Sequence, residues 1–382
     1  MAAPAIVVNA YNRPGSLERL LGSLIRADVP NGVRLLISID GGGDPGVHRV
    51  ADGFEWPFGI KTIQAHEQNL GLVEHFIYCG GLTRELGDII YLEDDLVVSR
   101  QFFNYTVGSL AAYRDDDRIG GISLNRLAIN GYTLHRFEPL PDGGDVFFAR
   151  IPWYQGQVYT PAMWERFSNW WRSSRRPVTP EDGLHPLFLP HPRWKNDFFP
   201  DTMLYLQDTD RFFVFPRASH TTQFGDPGTH FDHRTQVYQV PLQHHPAPYR
   251  FTTLSESQAV YDSFLEILPD RLAPALPGYS FDVDLNGTKP RTALKKPFTL
   301  TIRPVRNAAA AFGLEMRPPE LNVIDAVPGK AISLAPTEKL RFDRMAALAT
   351  AARLDRYFNP NRPGLLRDLV YRLVRAGDKG SQ

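Results

Sequence analysis

Short apolar runs alternate with segments whose leucines recur at helical spacing through the first hundred residues. Ala5-Ile6-Val7-Val8-Asn9-Ala10 predicts a strand, and Asn12-Arg13-Pro14-Gly15 is turn chemistry with Ser16 expected as a helix N-cap. Leu17, Leu20, Leu21, Leu24 and Ile25 then fall on one helical face. Pro30-Asn31-Gly32 breaks the chain, and Val33 to Ile39 predicts a second buried strand ending in Asp40 and three glycines. Lys61 to Ala65 predicts a weaker third strand, Gly71 to Leu86 a helix, and Asp88 to Leu92 a fourth strand. The second and fourth runs lack polar alternation, as strands covered on both faces do. Strand, helix, strand, strand, helix, strand predicts an α/β fold with a mostly parallel, Rossmann-like sheet flanked by helices. Phe102 to Arg114 predicts a further helix and Ile119 to Leu124 a further strand.

From about residue 130 to 235 the chain is loopier and aromatic, and after Pro241 its composition shifts. Short strand-like pieces follow at Tyr279 to Asp284 and Phe298 to Ile302, then two helical stretches within 341–376. A first domain over 1–240 and a C-terminal extension over 241–382, mixed short strands and then helices, are expected. Lys plus Arg is 42 and Asp plus Glu is 42, so bulk charge gives no reason to expect a nucleic-acid partner. Cys79 is the only cysteine, which excludes an intramolecular disulfide and a cysteine-based zinc site. No stretch approaches the ~20 apolar residues that cross a bilayer. Met1 to Pro14 has no basic region ahead of its short apolar part, so a cytoplasmic location without stem or membrane anchor is expected.

The most informative stretch is Asp88-Ile89-Ile90-Tyr91-Leu92-Glu93-Asp94-Asp95-Leu96, an apolar run ending in three adjacent carboxylates. Three acids repel one another unless a cation or donors neutralise them. In open α/β sheets ligands sit beyond the carboxyl ends of strands, where Mg2+ or Mn2+ is held by few carboxylates and substrate phosphates. Acid clusters also occur in solvated turns and at helix N-termini. Three other polar segments end predicted strands: Asn9-Ala10-Tyr11-Asn12-Arg13, Asp40-Gly41-Gly42-Gly43 and Glu67-Gln68-Asn69-Leu70-Gly71. All can converge on one rim. There Asp40 can accept from a uracil-type imide or a ribose hydroxyl, Arg13 can bond a phosphate or base carbonyl, and Asn69-Leu70-Gly71 can form a tight turn. No Gly-x-Gly-x-x-Gly and no Gly-x-x-x-x-Gly-Lys is present.

With these residues in view, about 4 to 235 resembles a GT-A-type glycosyltransferase. Tyr91-Leu92-Glu93-Asp94-Asp95-Leu96 followed by Gln101-Phe102-Phe103-x-Tyr105 is similar to the β-N-acetylglucosaminyltransferase I family and its bacterial relatives. Ile6 to Pro14 resembles how such domains begin, and Pro216 to Thr221 with Phe224 to His230 resembles the end of their catalytic core. The resemblance implies Asp95 as direct metal ligand, Asp94 toward the ribose or sugar, Glu93 toward the donor sugar and Asp40 at the base. Asn9, Tyr11, Arg13 and Asn69 complete the expected donor rim. It also implies inversion and a carboxylate base before the Pro216 strand: Asp201, with Asp197 the near alternative. Asp201 after Pro200 also reads as an N-cap.

The implied reaction moves a sugar from a nucleoside-diphosphate sugar, UDP-linked by preference, to a saccharide or lipid-linked acceptor in bacterial surface glycan synthesis. The implied cofactor is Mn2+ or Mg2+. His230 is a candidate metal ligand, and His220 and His233 weaker ones, in a segment that also reads as a solvated loop. Trp153 and Tyr154 are acceptor-cleft candidates, whereas Trp164, Trp170 and Trp171 read as the core of a helix. Leu365, Leu366, Leu369, Val370 and Leu373 with interleaved arginines make a basic amphipathic helix, which can lie on an anionic membrane from the cytoplasmic side or pack on its own domain. Two alternatives stand beside this reading: a sugar nucleotidyltransferase and a catalytically silent carbohydrate-binding protein.

Overall fold

The computed structural model describes residues 2–190, 197–227, 233 and 236–359. It divides into two compact units: residues 1–128, 141–178 and 188–257 form the first, and 129–140, 179–187 and 258–382 the second. A single cut near residue 240 does not describe this division, because two short segments from the middle of the chain join the C-terminal unit.

In the first unit β1 (Ala5–Ala10), β2 (Leu35–Ile39), β3 (Lys61–Ala65) and β4 (Ile89–Glu93) are parallel neighbours, with β1 between β2 and β4. Ile6, Val8, Leu35, Ile37, Ile90 and Leu92 are fully buried. That is the expected state of parallel strands covered on both faces. The crossovers are α1 (Pro14–Ile25) after β1, α2 (Pro45–Gly53) after β2, and α3 (Gly71–Gly81) with α4 (Thr83–Leu86) after β3. Beyond β4 the sheet continues through β8 (Gln157–Tyr159), β6 (Ile119–Ser123), β9 (Phe212–Pro216) and β7 (Val146–Ala149). β8 runs against both β4 and β6, β6 and β9 are parallel, and β7 runs against β9. The sheet is thus mostly parallel. Helices α5 (Phe102–Tyr113), α6 (Pro161–Ser173) and α7 (Phe199–Asp208) complete the α/β arrangement. A short ribbon pairs β5 (Leu96–Val98) with β10 (Thr221–Gln223).

Some local expectations change. The β2–β3 crossover helix α2 has only Gly46, Val47 and Ala51 buried, too few to give a periodic apolar signal; its start is set by Asp44, whose side chain accepts from the Gly46 amide, and by Pro45. Ser16 is not the cap of α1: Pro14 at the first turn starts that helix, and Ser16 is buried inside it. Asp201 is likewise not an N-cap, because α7 starts at Phe199 and Asp201 lies in its first turn, where a carboxylate suits the helix dipole. Trp164 and Trp170 are buried core, as expected, and Trp171 carries the Arg175 guanidinium over its ring.

His220 is fully buried, stacked on Tyr105 with its Nδ1 3.1 Å from Ser99 Oγ. It therefore does not reach a ligand at the strand rim. Burial pushes its pKa down to about 3. Between that value and the ordinary ~6.5, the unfolded chain holds a proton that the folded one does not. This histidine's contribution to stability therefore falls as pH drops through that window, by a few kcal/mol. Urea midpoints from pH 7 to 4 check this: His220→Phe is expected to fall less steeply than wild type, and parallel slopes would refute it.

In the second unit β11 (Val260–Tyr261) and α8 (Pro269–Leu272) precede a mixed sheet. Its order is β12 (Phe281–Asp284), β13 (Phe298–Thr301), β15 (Ile332–Pro336), β14 (Ala310–Phe312), with α9 (Leu321–Ile324) and α10 (Arg344–Phe358) beside it in sequence. Its interior holds a charged knot. Arg303 Nε lies 2.6 Å from Asp284 Oδ2, Lys289 Nζ 2.5 Å from Asp262 Oδ2, and Glu266 accepts from the Leu285 and Asn286 amides. Each buried charge there has an opposite partner or donors, as burial requires. The amphipathic stretch at 365–375 lies outside the described residues. Among the described residues no helix is long and apolar enough to cross a membrane.

Candidate functional site

The loops that leave β1, β2, β3 and β4 interlock at the carboxyl edge of the sheet. Asp40, 4% exposed, closes β2. Its Oδ1 accepts from the Gly41 amide at 2.9 Å and the Leu70 amide at 2.7 Å, and its Oδ2 from the Gly71 amide at 3.0 Å. Asn69 Nδ2 donates to the Gly41 carbonyl at 2.9 Å. A Cβ on Gly41 would fall 2.4 Å from the Gln68 carbonyl carbon, so only glycine lets these two loops touch. Gly43 approaches Tyr11 just as closely, with a would-be Cβ 2.0 Å from its carbonyl oxygen.

The first loop is also bound to the fourth. Arg13 Nη1 lies 2.8 Å from Asp95 Oδ2, and Arg13 Nη2 pairs with Asp94 Oδ1. The Tyr11 amide points to Asp94 Oδ2 at 3.4 Å, and Asn9 Nδ2 donates to the Tyr91 hydroxyl at 2.7 Å. Burial chiefly, then its neighbouring acids, pushes Glu93 well above the usual carboxylate range, with Arg13 opposing. Burial raises Asp94 to about 6 against the same guanidinium. Burial opposes the charge on Arg13, but Asp94 and Asp95 outweigh it and raise its pKa. The edge is therefore a set of acids held together by one arginine.

The structure gathers Asn9, Tyr11, Arg13, Asp40, Asn69, Glu93, Asp94 and Asp95 on this edge. Asp40, expected at the base, accepts from three backbone amides and so holds its own loop against the start of α3. Tyr11 is 37% exposed and Leu70 36%, on adjoining loops. An exposed aromatic and an exposed leucine beside a glycine loop offer flat apolar surface suited to a base or sugar ring. Leu70 is not among the sequence candidates; its signal is an apolar residue inside a polar Asn-x-Gly turn.

The two base candidates differ. Asp201 Oδ2 is held by Arg175 at 2.8 Å, and burial raises its pKa against that ion pair. Asp197 accepts from the Phe199 amide at 2.8 Å and lies near enough to raise Glu93 electrostatically. Asp197 thus lies toward the acid cluster. Tyr154 packs among Phe76, Phe198 and Phe199, a position in aromatic core, and Trp153 is half-buried with Nε1 3.0 Å from Asn125 Oδ1. His230 lies outside the described residues, and His233 is exposed.

Sequence inspection also leaves out Asp226. Arg19 and Ser16 of α1 both bond its carboxylate, which ties the loop after β10 to the helix that follows Arg13. The signal was a polar Ser16 and Arg19 one helical turn apart. Among the described residues no three His, Cys, Asp or Glu side chains converge as metal ligands. Asp94 and Asp95 supply two carboxylates, which suits Mg2+ or Mn2+ completed by substrate phosphates.

No family model matches the sequence, and no curated protein matches it. Among solved structures, S. aureus TarS 1-349 is similar over 58% of this chain and 60% of its own, at 13% identity and TM-score 0.36. A mannosyltransferase from Pyrobaculum calidifontis, in complex with GDP-Man and Mn2+, is similar over 44% of this chain and 47% of its own, at 14% identity and TM-score 0.31. A cytidylyltransferase from Leptospira borgpetersenii is similar over 56% of this chain and 75% of its own, at 13% identity and TM-score 0.32. The chain thus spans less than two thirds of the TarS fragment. These scores are too low to assign a family, and the fold rests on its own strand order.

Proposed function

We propose that the first unit is a glycosyltransferase that takes its sugar from a nucleoside diphosphate, UDP by preference, and passes it to a saccharide or lipid-linked acceptor in bacterial surface glycan synthesis. The observation that carries this is the interlocking of four strand-end loops around an arginine-bridged acid pair. In a parallel sheet this edge is where a nucleotide lies. Tyr11 and Leu70 would flank the base. The loop held by Asp40 and Asn69 would support the ribose, and Arg13 and the acids would face the diphosphate. Asp95 and Asp94 would hold Mg2+ or Mn2+, which supplies Lewis-acid stabilisation of charge on the leaving diphosphate.

Inverting transfer needs a base on the acceptor side of the sugar. Asp197 serves that role better than Asp201: it is nearer the acids, whereas Asp201 is engaged by Arg175. The Arg175 pair also supports a positioning role for Asp201 at the head of α7. A sugar nucleotidyltransferase would want a basic, glycine-rich loop after β1; Asn9, Tyr11 and Asn12 stand there instead, with Arg13 the single basic residue.

Calorimetric titration of UDP, GDP, dTDP and CMP with and without Mn2+ tests the reading. Metal-dependent binding of one diphosphate, weakened about a hundredfold in Asp95→Ala, is expected. Pyrophosphate release from a nucleoside triphosphate would move the assignment to nucleotidyl transfer, and sugar binding indifferent to every nucleotide would move it to a silent module.

A further inference from the structure

We infer that Arg13 is the resident cation of the acid pair and excludes a free divalent metal, so that metal and nucleoside diphosphate enter together. This rests on the proposed nucleotide-sugar reading. The bridging guanidinium pairs with both Asp94 and Asp95, the two carboxylates that would hold the ion. Asp94 is 4% exposed in its side chain and Asp95 16%. Two acids this enclosed cannot be left bare when the arginine swings away, because buried like charges without a counterion are strongly disfavoured.

Charge counting sets the order. Asp94, Asp95 and the guanidinium that bridges them sum to one net negative charge. A dication added alone leaves one net positive charge and must displace, or sit against, the guanidinium. The diphosphate of a nucleotide sugar arriving with the dication contributes two negative charges and restores the original balance, and free UDP contributes at least as many. It also gives Arg13 a new planar partner, since guanidinium matches phosphate as well as carboxylate. Arg13 can make this exchange because it sits in the loop before α1, at the Arg13–Pro14 junction where the helix starts and no side chain caps it. Burial in the helix core would fix it; here its side chain is 28% exposed.

The exchange assigns Arg13 two states. In the first it bridges the acids and holds the site compact. In the second it would face the diphosphate, leaving Asp94 and Asp95 to hold the metal. Lysine would replace it only in part, because a compact ammonium keeps the charge but lacks the two-nitrogen fork that reaches both carboxylates.

Titration of Mn2+ alone, followed by the electron paramagnetic resonance of free Mn2+, tests the inference on wild type, Arg13→Gln and Arg13→Lys. Wild type is expected to bind Mn2+ alone weakly and far better with UDP present. Arg13→Gln is expected to bind Mn2+ alone at least about tenfold tighter, the scale of one removed charge contact. It is also expected to lose most of the enhancement by UDP. Adding Asp95→Asn to Arg13→Gln should abolish the gain. Arg13→Lys, which keeps the charge, should fall between the two and serves if the glutamine variant does not fold. Unchanged or weaker Mn2+ affinity in folded Arg13 variants, with wild type still binding Mn2+ and UDP together, overturns the exchange and leaves the functional reading intact. If wild type binds neither Mn2+ nor any nucleoside diphosphate under any combination, the functional reading itself falls.

Discussion

Asp40→Ala is expected to remove nucleotide binding and to destabilise the first unit by about 3–5 kcal/mol, since three backbone amides lose a charged acceptor at once. The carboxylate bonds Gly41 on its own loop and Leu70 and Gly71 on the next, so its loss frees both the β2 loop and the start of α3. Asp40→Asn separates packing from charge: the amide keeps the volume, but its NH2 group can only oppose amide donors. It is therefore expected to cost most of what alanine costs. Urea denaturation gives the stability and calorimetry with UDP the binding. A cost below ~1 kcal/mol for alanine would mean that Gly41 packing on Gln68 holds these loops and the carboxylate is redundant. Asp94, Asp95 and Arg13 are untouched by the change, so lost binding with an intact fold traces to the loop.

Trp164→Ala is expected to cost about 3–5 kcal/mol, the range for deleting a large buried aromatic. Trp164 is 2% exposed in α6, and its ring lies 5.3 Å from Phe76, 5.1 Å from Tyr159 and 5.2 Å from Phe167. It also fills the space beside Gly80 of α3, where a Cβ would meet its ring at 2.1 Å. Trp164 thus props the far end of the helix whose near end Asp40 holds. Trp164→Phe should retain part of that support and cost less. Thermal and urea unfolding of both variants measure it; a loss under ~1 kcal/mol for alanine would show that the neighbouring rings close over the cavity.

These two sites show how unevenly the sequence reveals the molecule. β1 was legible to the residue because an apolar β-branched run stops at a clear turn, whereas β3 showed only the alternation of Thr62, Ile63 and Gln64 at a sheet edge. β4 was legible for its apolar β-branched run, and the acids beyond it lie where the strand-end loops meet. α2 was hidden because it turns few apolar residues inward, although Asp44-Pro45 carried its start signal. Ser16 misled because a good cap residue two positions after a proline is already inside the helix that the proline opens. The site's residue types were visible, but their roles depended on tertiary neighbours. Asp40 has its oxygens on the Leu70 and Gly71 amides, and Asp201 has its carboxylate on Arg175, twenty-six residues earlier. Separation in sequence hides such pairs, since no local pattern encodes them.

The pairing of β4 with β1 bears on biosynthesis. Ala5 lies opposite Ile89 and Asn9 opposite Glu93, so the first strand made is completed only by one synthesised much later. Until that strand leaves the ribosome, the emerging chain holds an apolar β1 with one face of its backbone unpaired, and no acid edge can assemble. Parallel pairs at such separation form slowly. Codon choice or chaperone supply between α2 and β4 should therefore govern the yield of folded protein more than changes after β9, where the central strands are already in place.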